Sequence, residues 1–203
     1  VIENIQEAVI SIGCHGFYQL FINGVFAAAG PARAAHEYYR VDEIDISEKL
    51  NRTADIITVY VTGYNIKNFY IINQPSFLCC EIVSEGKVIA ATGSLGFSCE
   101  RFKEKVRKVQ RYSYQRGFAE VYHLGEGYKE FDKDDSSGSV LLAKTGFKKF
   151  ITRDVYYPDY KKYAPESIVS RGNSIFRDEL IRSFDDRAIV LAGKGGVDGF
   201  LRE

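Results

Sequence analysis

The chain has 203 residues, of which 45% are hydrophobic and 27% are charged. This length supports one substantial hydrophobic core, or one domain with part of another, and the composition excludes a disordered chain. The 27 basic residues balance the 27 acidic residues, so no excess of charge attracts nucleic acid or an anionic membrane. We therefore expect neither nucleic acid nor a membrane as a partner.

The apolar runs, the N-terminal residues and the cysteines of the sequence indicate the cellular location of the protein. No apolar run approaches the roughly 20 residues that span a bilayer, and the first residues lack the pattern of a signal peptide. We expect a cytoplasmic chain, and the start at Val1 indicates a processed chain or a fragment. The cysteines contain no CxxC pair. Free thiols in a reducing compartment are expected, with one disulfide as the alternative.

Short apolar segments separated by turn residues make up the first half of the chain. Strands are predicted at residues 8–12, 16–22, 56–61, 69–72, 78–83 and 87–90. Asn23-Gly24 favours a type I′ hairpin, and Glu85-Gly86 turns the chain between the last two strands. A helical turn is predicted at 46–51, with Asp45 or Ser47 as its cap. Further strands or extended segments are predicted at 110–114, 118–122, 140–142 and 147–157.

Residues 21–39 depart from this simple alternation. After the Asn23-Gly24 turn and Val25-Phe26 come three alanines, Gly30-Pro31 and the pair Tyr38-Tyr39. We expect the segment between the turn and the tyrosines to be a long loop of small residues. The loop would present the two aromatic side chains.

The order of the segments predicts the fold and its divisions. Many short strands at spacings of about ten residues, joined by long loops, are typical of an antiparallel β-sandwich. The polar stretch 132–138 is expected to be a surface loop, and Pro158 and Pro165 interrupt a linker. We predict a β-sandwich over 1–150, a linker over 151–172 and an incomplete start of a second β-domain over 173–203.

The sequence gives no catalytic motif. The three histidines lie far from any nucleophile motif, and neither GxSxG nor HExxH occurs. The stretch 132–138 lacks the Gly and Glu of a calcium loop, and 193–196 lacks the spacing of a phosphate-binding loop. No catalytic residue, metal site or cofactor is predicted.

A basic stretch at 101–116 has two interpretations. With Tyr112 and Tyr114 among its charges, it has the composition of a single-stranded nucleic-acid binder. Its alternation equally fits an edge strand whose charged face discourages pairing with other chains. We favour the edge strand.

The segment FYQLFINGVFAAAGPAR, followed by YYRVDEIDISEKLNRTADIITVYVTGYN, resembles the N-terminal β-sandwich of bacterial α-L-rhamnosidases. In that family a Y-x-L-x-[IV]-N-G strand leads to Gly-Pro and an aromatic pair. A D-[IV]-[ST]-x-x-L turn then precedes the next strand. The similarity extends over about residues 8–172, since 79–97, 111–124 and 150–172 resemble later parts of the same region.

This resemblance implies a galactose-binding-like jelly-roll sandwich that is accessory rather than catalytic. The chain lacks the tryptophan usual in the family near residues 95–97. The (α/α) toroid that carries the family's general acid and base is also not present. The implied role is to pack on the catalytic (α/α) domain of the same parent chain. Binding of a rhamnose-containing glycan is a further hypothesis, and a purely structural module without sugar affinity is the alternative.

The tentative sugar-binding residues are exposed aromatic and polar side chains around two strands. Aromatic rings stack on the apolar faces of sugars, and Asn, Asp and Arg side chains bind hydroxyl groups. Ordinary packing in the core or between domains is the alternative role for each tyrosine. The candidates are Tyr38, Tyr39, Arg40, Tyr64 and Asn65.

Overall fold

The computed structural model describes residues 1–3, 5–51, 53–64, 66–67, 71–93, 96–107, 109, 119–125 and 146–173. These ranges contain ten strands and one 3-10 helix, Ser47–Lys49. They include no helix that is long and apolar enough to cross a membrane. The strands are β1 (Ile2–Glu3), β2 (Val9–His15), β3 (Phe17–Ile22), β4 (Val25–Gly30), β5 (Tyr38–Asp45), β6 (Ala54–Asp55), β7 (Ile57–Thr62), β8 (Phe77–Ser84), β9 (Lys87–Ala91) and β10 (Lys149–Thr152).

These strands form three sheets. The largest has the order β10-β5-β2-β8-β9, the second has the order β4-β3-β7, and β1 pairs with β6. Neighbouring strands run antiparallel, except that β10 is parallel to β5. The all-β, mostly antiparallel class predicted from the strand pattern is confirmed.

The hydrophobic core contains the inward faces of the five-stranded and three-stranded sheets. Ile10 and Ile12 of β2 and Leu20 of β3 are completely buried, as expected when alternate side chains of a strand face the interior. The hydroxyl of Tyr18, also on β3, donates to Asp42 Oδ2 of β5 at 2.5 Å. This buried hydrogen bond links the two sheets of a β-sandwich.

The chain passes from the larger sheet to the smaller one at Gly16. This residue separates β2 from β3 and has a φ of +118°. A side chain at this position would also overlap the carbonyl oxygen of Thr62. Glycine tolerates both the backbone angle and the close approach. It therefore allows the sharp corner between His15 at the end of β2 and Phe17 at the start of β3.

Both predicted two-residue turns are present. Asn23 and Gly24 have φ angles of +51° and +74°, and Glu85 and Gly86 have +50° and +72°. Positive φ at both central residues is the requirement of a type I′ hairpin. The first turn joins β3 to β4 and the second joins β8 to β9.

The expected long loop after the first turn is instead mostly strand. β4 continues through the alanines to Gly30, and Ala28, Ala29 and Gly30 pair with β3. A side chain at Gly30 would overlap Asp42 Oδ2 and would lie 2.8 Å from Tyr18 Cε1. The glycine therefore reflects close packing, and the connection to β5 begins at Pro31 after a cis Gly30–Pro31 bond.

The helical turn predicted at 46–51 is the 3-10 helix Ser47–Lys49. Asp45 Oδ1 accepts hydrogen bonds from the Ser47 amide at 2.9 Å and from the Ser47 hydroxyl at 2.6 Å. The bonds from the Ser47 hydroxyl and amide lower the pKa of Asp45. The N-cap residue is Ile46, and it makes no side-chain cap bond. The cap expected at Asp45 or Ser47 is therefore wrong, and Asp45 instead binds the first residue of the turn.

The four cysteines are free thiols. Cys79 is exposed and Cys80 is buried, because neighbouring residues of β8 point to opposite faces of the sheet. Burial raises the pKa of Cys80 to about 12, with smaller contributions from Cys79 and Glu81. Burial, with a contribution from Asp42, also raises the pKa of Cys14 to about 12.

Two compact units divide the chain. One contains Val1–Lys105 and Tyr122–Val155, and the other contains Val106–Val121 and Tyr156–Glu203. Within the second unit the Val106 amide donates to the Val121 carbonyl at 2.9 Å. The boundaries predicted at 150 and 172 remain predictions, and residues 174–203 of the expected second β-domain lie outside the described residues.

Several other sequence predictions fall wholly or partly outside the described residues. These are the segments 69–70, 110–118, 132–138, 140–142 and 193–196. Ile71 and Ile72 are described and are not in a strand. Tyr122 forms an isolated antiparallel bridge with Lys105.

Candidate functional site

A shallow pocket lies where β2 turns into β3. Its volume is about 90 Å³, and we call it the corner pocket. The Gly16 corner, the connection from Pro31 to Ala35 and the start of β5 form its walls, together with Ile71, Ile72 and Gln74. Three of the five candidate residues line it: Tyr38, Tyr39 and Arg40.

Tyr38 provides the exposed aromatic ring of the corner pocket. It is the first residue of β5, and 43% of its surface is exposed. Lys149 is its partner on β10, and the Lys149 ammonium lies 5.4 Å from the centre of the Tyr38 ring. Tyr38 therefore has the exposure that stacking against a ligand requires.

Tyr39 is buried, in contrast to the exposure expected from the sequence. Only 9% of its surface is exposed, because adjacent residues of a strand point to opposite faces. Its ring makes edge contacts with His15, Phe77 and Phe150. Its hydroxyl donates to Gln74 Oε1 at 3.1 Å, and burial, followed by the charge of Glu37, raises its pKa. Tyr39 thus anchors an aromatic cluster beside the pocket.

Arg40 holds the connection between β4 and β5 in place. Its Nε donates to the carbonyl of Arg33 at 2.7 Å. Its Nη1 donates to the carbonyl of Thr152 at 3.3 Å and forms an ion pair with Asp154. The guanidinium is thus already bound to protein groups, which fix the wall of the pocket on that side.

Tyr64 does not line the corner pocket. The Tyr64 ring makes an edge contact with Phe17, at 6.1 Å between centroids, and Phe17 lines the pocket. Tyr64 is therefore one aromatic contact away from it. Asn65 lies outside the described residues.

Three polar residues of the pocket were not predicted from the sequence. Arg33 lies in the connection before β5, Gln74 comes from the segment before β8, and His15 ends β2. His15 Nε2 lies 2.9 Å from the carbonyl oxygen of Ile72. Only His15 carried a sequence signal, since it precedes a glycine at a strand end, whereas nothing in the pattern around Gln74 distinguishes it.

The corner pocket combines an aromatic ring, guanidinium groups and an amide around a small volume. Binding pockets for drug-sized ligands span roughly 300–1,000 Å³, so this pocket does not enclose an oligosaccharide. It offers a ring face and hydrogen-bonding groups to part of a ligand that remains largely in solvent. Such an arrangement supports weak binding. Among the described residues no group of three or more His, Cys, Asp or Glu side chains is placed to hold a metal ion.

Comparison with known proteins gives a structural match. No protein-family model matches the sequence, and no curated protein matches it either. The fold is similar to that of the GH78-family rhamnosidase of Bacillus sp. GL1, with a TM-score of 0.63 and 22% sequence identity. The match covers 76% of this chain and 18% of the rhamnosidase. The likeness shows the β-sandwich fold, and this chain spans less than a fifth of the protein it matches.

Proposed function

We propose that this chain is an accessory, non-catalytic β-sandwich region of an α-L-rhamnosidase-like glycoside hydrolase. The observation that carries the proposal is the fold similarity over 76% of this chain to 18% of a GH78-family rhamnosidase. The ordered sequence similarity described above points to the same family. A match to so small a part of an enzyme is what an accessory region gives. In this proposal the region packs on the catalytic (α/α) domain of the same parent chain.

We propose further that the corner pocket binds carbohydrate weakly. Tyr38 offers an exposed ring for stacking on the apolar face of a sugar. Arg33 and Gln74 at the wall supply donors and acceptors for hydroxyl groups. Tyr39 and Arg40 support the site, because their polar atoms bind Gln74 and the Arg33 carbonyl. Tyr64 belongs to the same proposal as an outer contact of a longer glycan, and Asn65 stays a prediction from the sequence.

An NMR titration tests the carbohydrate proposal. We expect millimolar L-rhamnose or a rhamnosyl oligosaccharide to shift resonances of Tyr38 and Gln74 in the isolated chain. Tyr38→Ala is expected to weaken binding at least fivefold, because the stacking ring is lost. Tyr163→Ala is the matched control, since Tyr163 is 87% exposed and is not a pocket residue. Absence of chemical-shift changes at tens of millimolar sugar would contradict the carbohydrate proposal, but it would leave the proposed accessory role unchanged.

Turnover separates the accessory proposal from an enzyme. The purified chain is expected not to hydrolyse an aryl α-L-rhamnoside, because the general acid and base of the family lie in the (α/α) toroid. Release of the aryl alcohol above the buffer rate, abolished by heat denaturation, would contradict the non-catalytic role.

A structural module without sugar affinity is the second candidate. It is favoured by large apolar side chains that are almost completely exposed. Exposed apolar patches often mark interaction surfaces, and in this candidate role each of these residues packs against another domain. This candidate predicts no sugar-induced shifts together with strong binding of the dye ANS. The residues are Phe147 (91% exposed), Tyr156 (99%), Tyr163 (87%) and Val169 (96%).

A further inference from the structure

Three tyrosine rings surround the ammonium group of Lys105 on the outer side of the three-stranded sheet. Its Nζ lies 5.9 Å from the ring centre of Tyr60, 5.9 Å from that of Tyr64 and 5.6 Å from that of Tyr122. Tyr60 pairs with Gln19 of β3, so its side chain points away from the buried face that holds Leu20. We call Tyr60, Tyr64 and Tyr122 the tyrosine cage.

Contacts with other residues fix the walls of the tyrosine cage. Phe102 makes an edge contact with Tyr60, at 5.2 Å between centroids, and a second ring contact with Tyr122 at 6.1 Å. Tyr122 forms an antiparallel bridge with Lys105. Phe17 supports Tyr64 through their edge contact. Two of the rings therefore come from the end of β7 and the residues just after it, and the third comes from a distant segment.

The distances suit a larger cation than a primary ammonium. A cation attracted by an aromatic face lies within about 6 Å of the ring centre, and all three distances are close to that limit. The hydrogen bond from Nζ to Thr62 Oγ1 is also long, at 3.4 Å. A lysine ammonium is compact and strongly hydrated, whereas methyl groups on a quaternary ammonium would extend toward the rings. Aromatic cages are used to recognise such cations.

We propose that the tyrosine cage is a binding site for a quaternary ammonium group, with Lys105 as a ligand from the chain itself that competes for it. Lys105 is tethered, so its effective concentration at the cage is high. An external quaternary ammonium must displace its side chain, and removal of that side chain opens the site. The proposal shares Tyr64 with the outer glycan contacts proposed above, but it does not require sugar binding at the corner pocket.

Titration with tetramethylammonium chloride tests this site. The three proteins compared are the wild-type chain, Lys105→Ala, and Lys105→Ala combined with Tyr60→Leu. The chemical-shift dispersion of each NMR spectrum first shows that the protein is folded. The tyrosine ring resonances then report binding. We expect saturable, millimolar binding by Lys105→Ala. Binding by the wild-type chain is expected to be at least tenfold weaker, and binding by the double variant should be lost. Should Lys105→Ala fail to fold, Lys105→Gln keeps half of the side-chain methylenes, removes the charge and gives the same comparison.

A neutral isostere separates a cation site from an apolar cavity. tert-Butanol at the same concentration matches the shape of tetramethylammonium without its charge, and sodium chloride controls for ionic strength. Tyrosine shifts confined to tetramethylammonium support the proposal. It would be overturned by no shifts in the folded Lys105 variant, by equal shifts with tert-butanol, or by equal affinity of the wild-type chain and Lys105→Ala.

Discussion

Two buried aspartates hold different parts of the sandwich, and they do so in different ways. Asp42 of β5 is completely buried, accepts a hydrogen bond from the Tyr18 hydroxyl and forms an ion pair with Arg153 at 3.1 Å. Asp55 of β6 is 1% exposed. Within the described part of the chain, its Oδ2 has no hydrogen-bond partner.

The partners of Asp55 are neutral. Its Oδ1 accepts from the side-chain amide of Asn23 at 2.6 Å and from the backbone amide of Asn51 at 2.7 Å. The Asn23 side chain in turn accepts from the Ile56 amide at 2.9 Å. One aspartate thus depends on a buried cation from a distant part of the chain, and the other on the geometry of a turn. Burial of a carboxylate therefore does not by itself determine how much stability is lost when it is removed.

Removal of Asp42, the aspartate paired with Arg153, gives the largest expected effect. Asp42→Ala should lower the free energy of unfolding by about 3–5 kcal/mol, because the nearly buried Arg153 guanidinium loses its carboxylate. Urea denaturation followed by circular dichroism measures this value. Adding Arg153→Leu to Asp42→Ala should recover part of the loss, since the buried charge is then removed as well. A cost below about 1 kcal/mol would show that the pair contributes like a surface ion pair.

Steric overlap with Asp42 gives the second largest expected loss of stability. Gly30→Ala should cost up to about 3 kcal/mol, because the added methyl group overlaps Asp42 Oδ2 and approaches Tyr18. Gly146→Ala is the matched control, since nothing lies within 4 Å of a side chain there, and it should change stability by at most about 0.5 kcal/mol. Thermal or urea denaturation compares the two. Equal costs for both substitutions would contradict the close packing of β4 against Asp42.

Breaking the turn around Asp55 should cost less. Asn23→Ala removes the side chain that binds both Asp55 and the Ile56 amide, and we expect a loss of about 2 kcal/mol. Glu85→Ala is the control, because Glu85 has the same positive φ in the other hairpin without a bond to a buried carboxylate. The difference between the two variants in urea denaturation isolates the contribution of the hydrogen bonds. Identical losses would assign the whole effect to the backbone conformation.

The smallest effect at neutral pH concerns the buried thiols of Cys14 and Cys80. The charge of Asp42 contributes, after burial, to the raised pKa of Cys14. The pKa values of Cys14 and Cys80 are about 12 in the folded chain, against roughly 8.5 for an unfolded thiol. The folded state therefore binds more protons between these values, and stability should fall as the pH rises from about 9 toward 12. Native protein at pH 8 should react with the thiol reagent DTNB at Cys79 and Cys99, which are exposed, and at all four cysteines only after unfolding. Rapid reaction of four thiols in the native chain would contradict this assignment.

The sequence was informative wherever structure depends on neighbours in the chain. The alternation of apolar residues predicted β2, β3, β7, β8 and β9 to within a residue or two at most ends. The Asn23-Gly24 and Glu85-Gly86 pairs predicted their hairpins, because positive φ is a local property of those residues. The sequence did not predict that β4 continues to Gly30, since alanine and glycine are weak strand formers and only the tertiary structure shows Gly30 packed against Tyr18 and Asp42.

Part of the candidate site was predicted from the sequence. As with the strands, the predicted part depends on neighbours in the chain and the rest depends on contacts between distant segments. Tyr38–Arg40 was recognised as a unit, and all three residues line the corner pocket. The sequence could not assign different environments to Tyr38 and Tyr39, because which face of β5 is covered depends on strands far away in the chain. Gln74 and the tyrosine cage around Lys105 were not foreseen for the same reason.

What the sequence determined by itself is the set of strands and turns, together with the all-β class that follows from them, because side-chain alternation and turn geometry are properties of a few consecutive residues. What only the tertiary structure decided is which side chains meet. The pairing of Asp42 with Arg153, the burial of Tyr39 and the three rings around Lys105 each join segments that are distant in the chain. Such contacts depend on sheet order and register, which no single segment encodes.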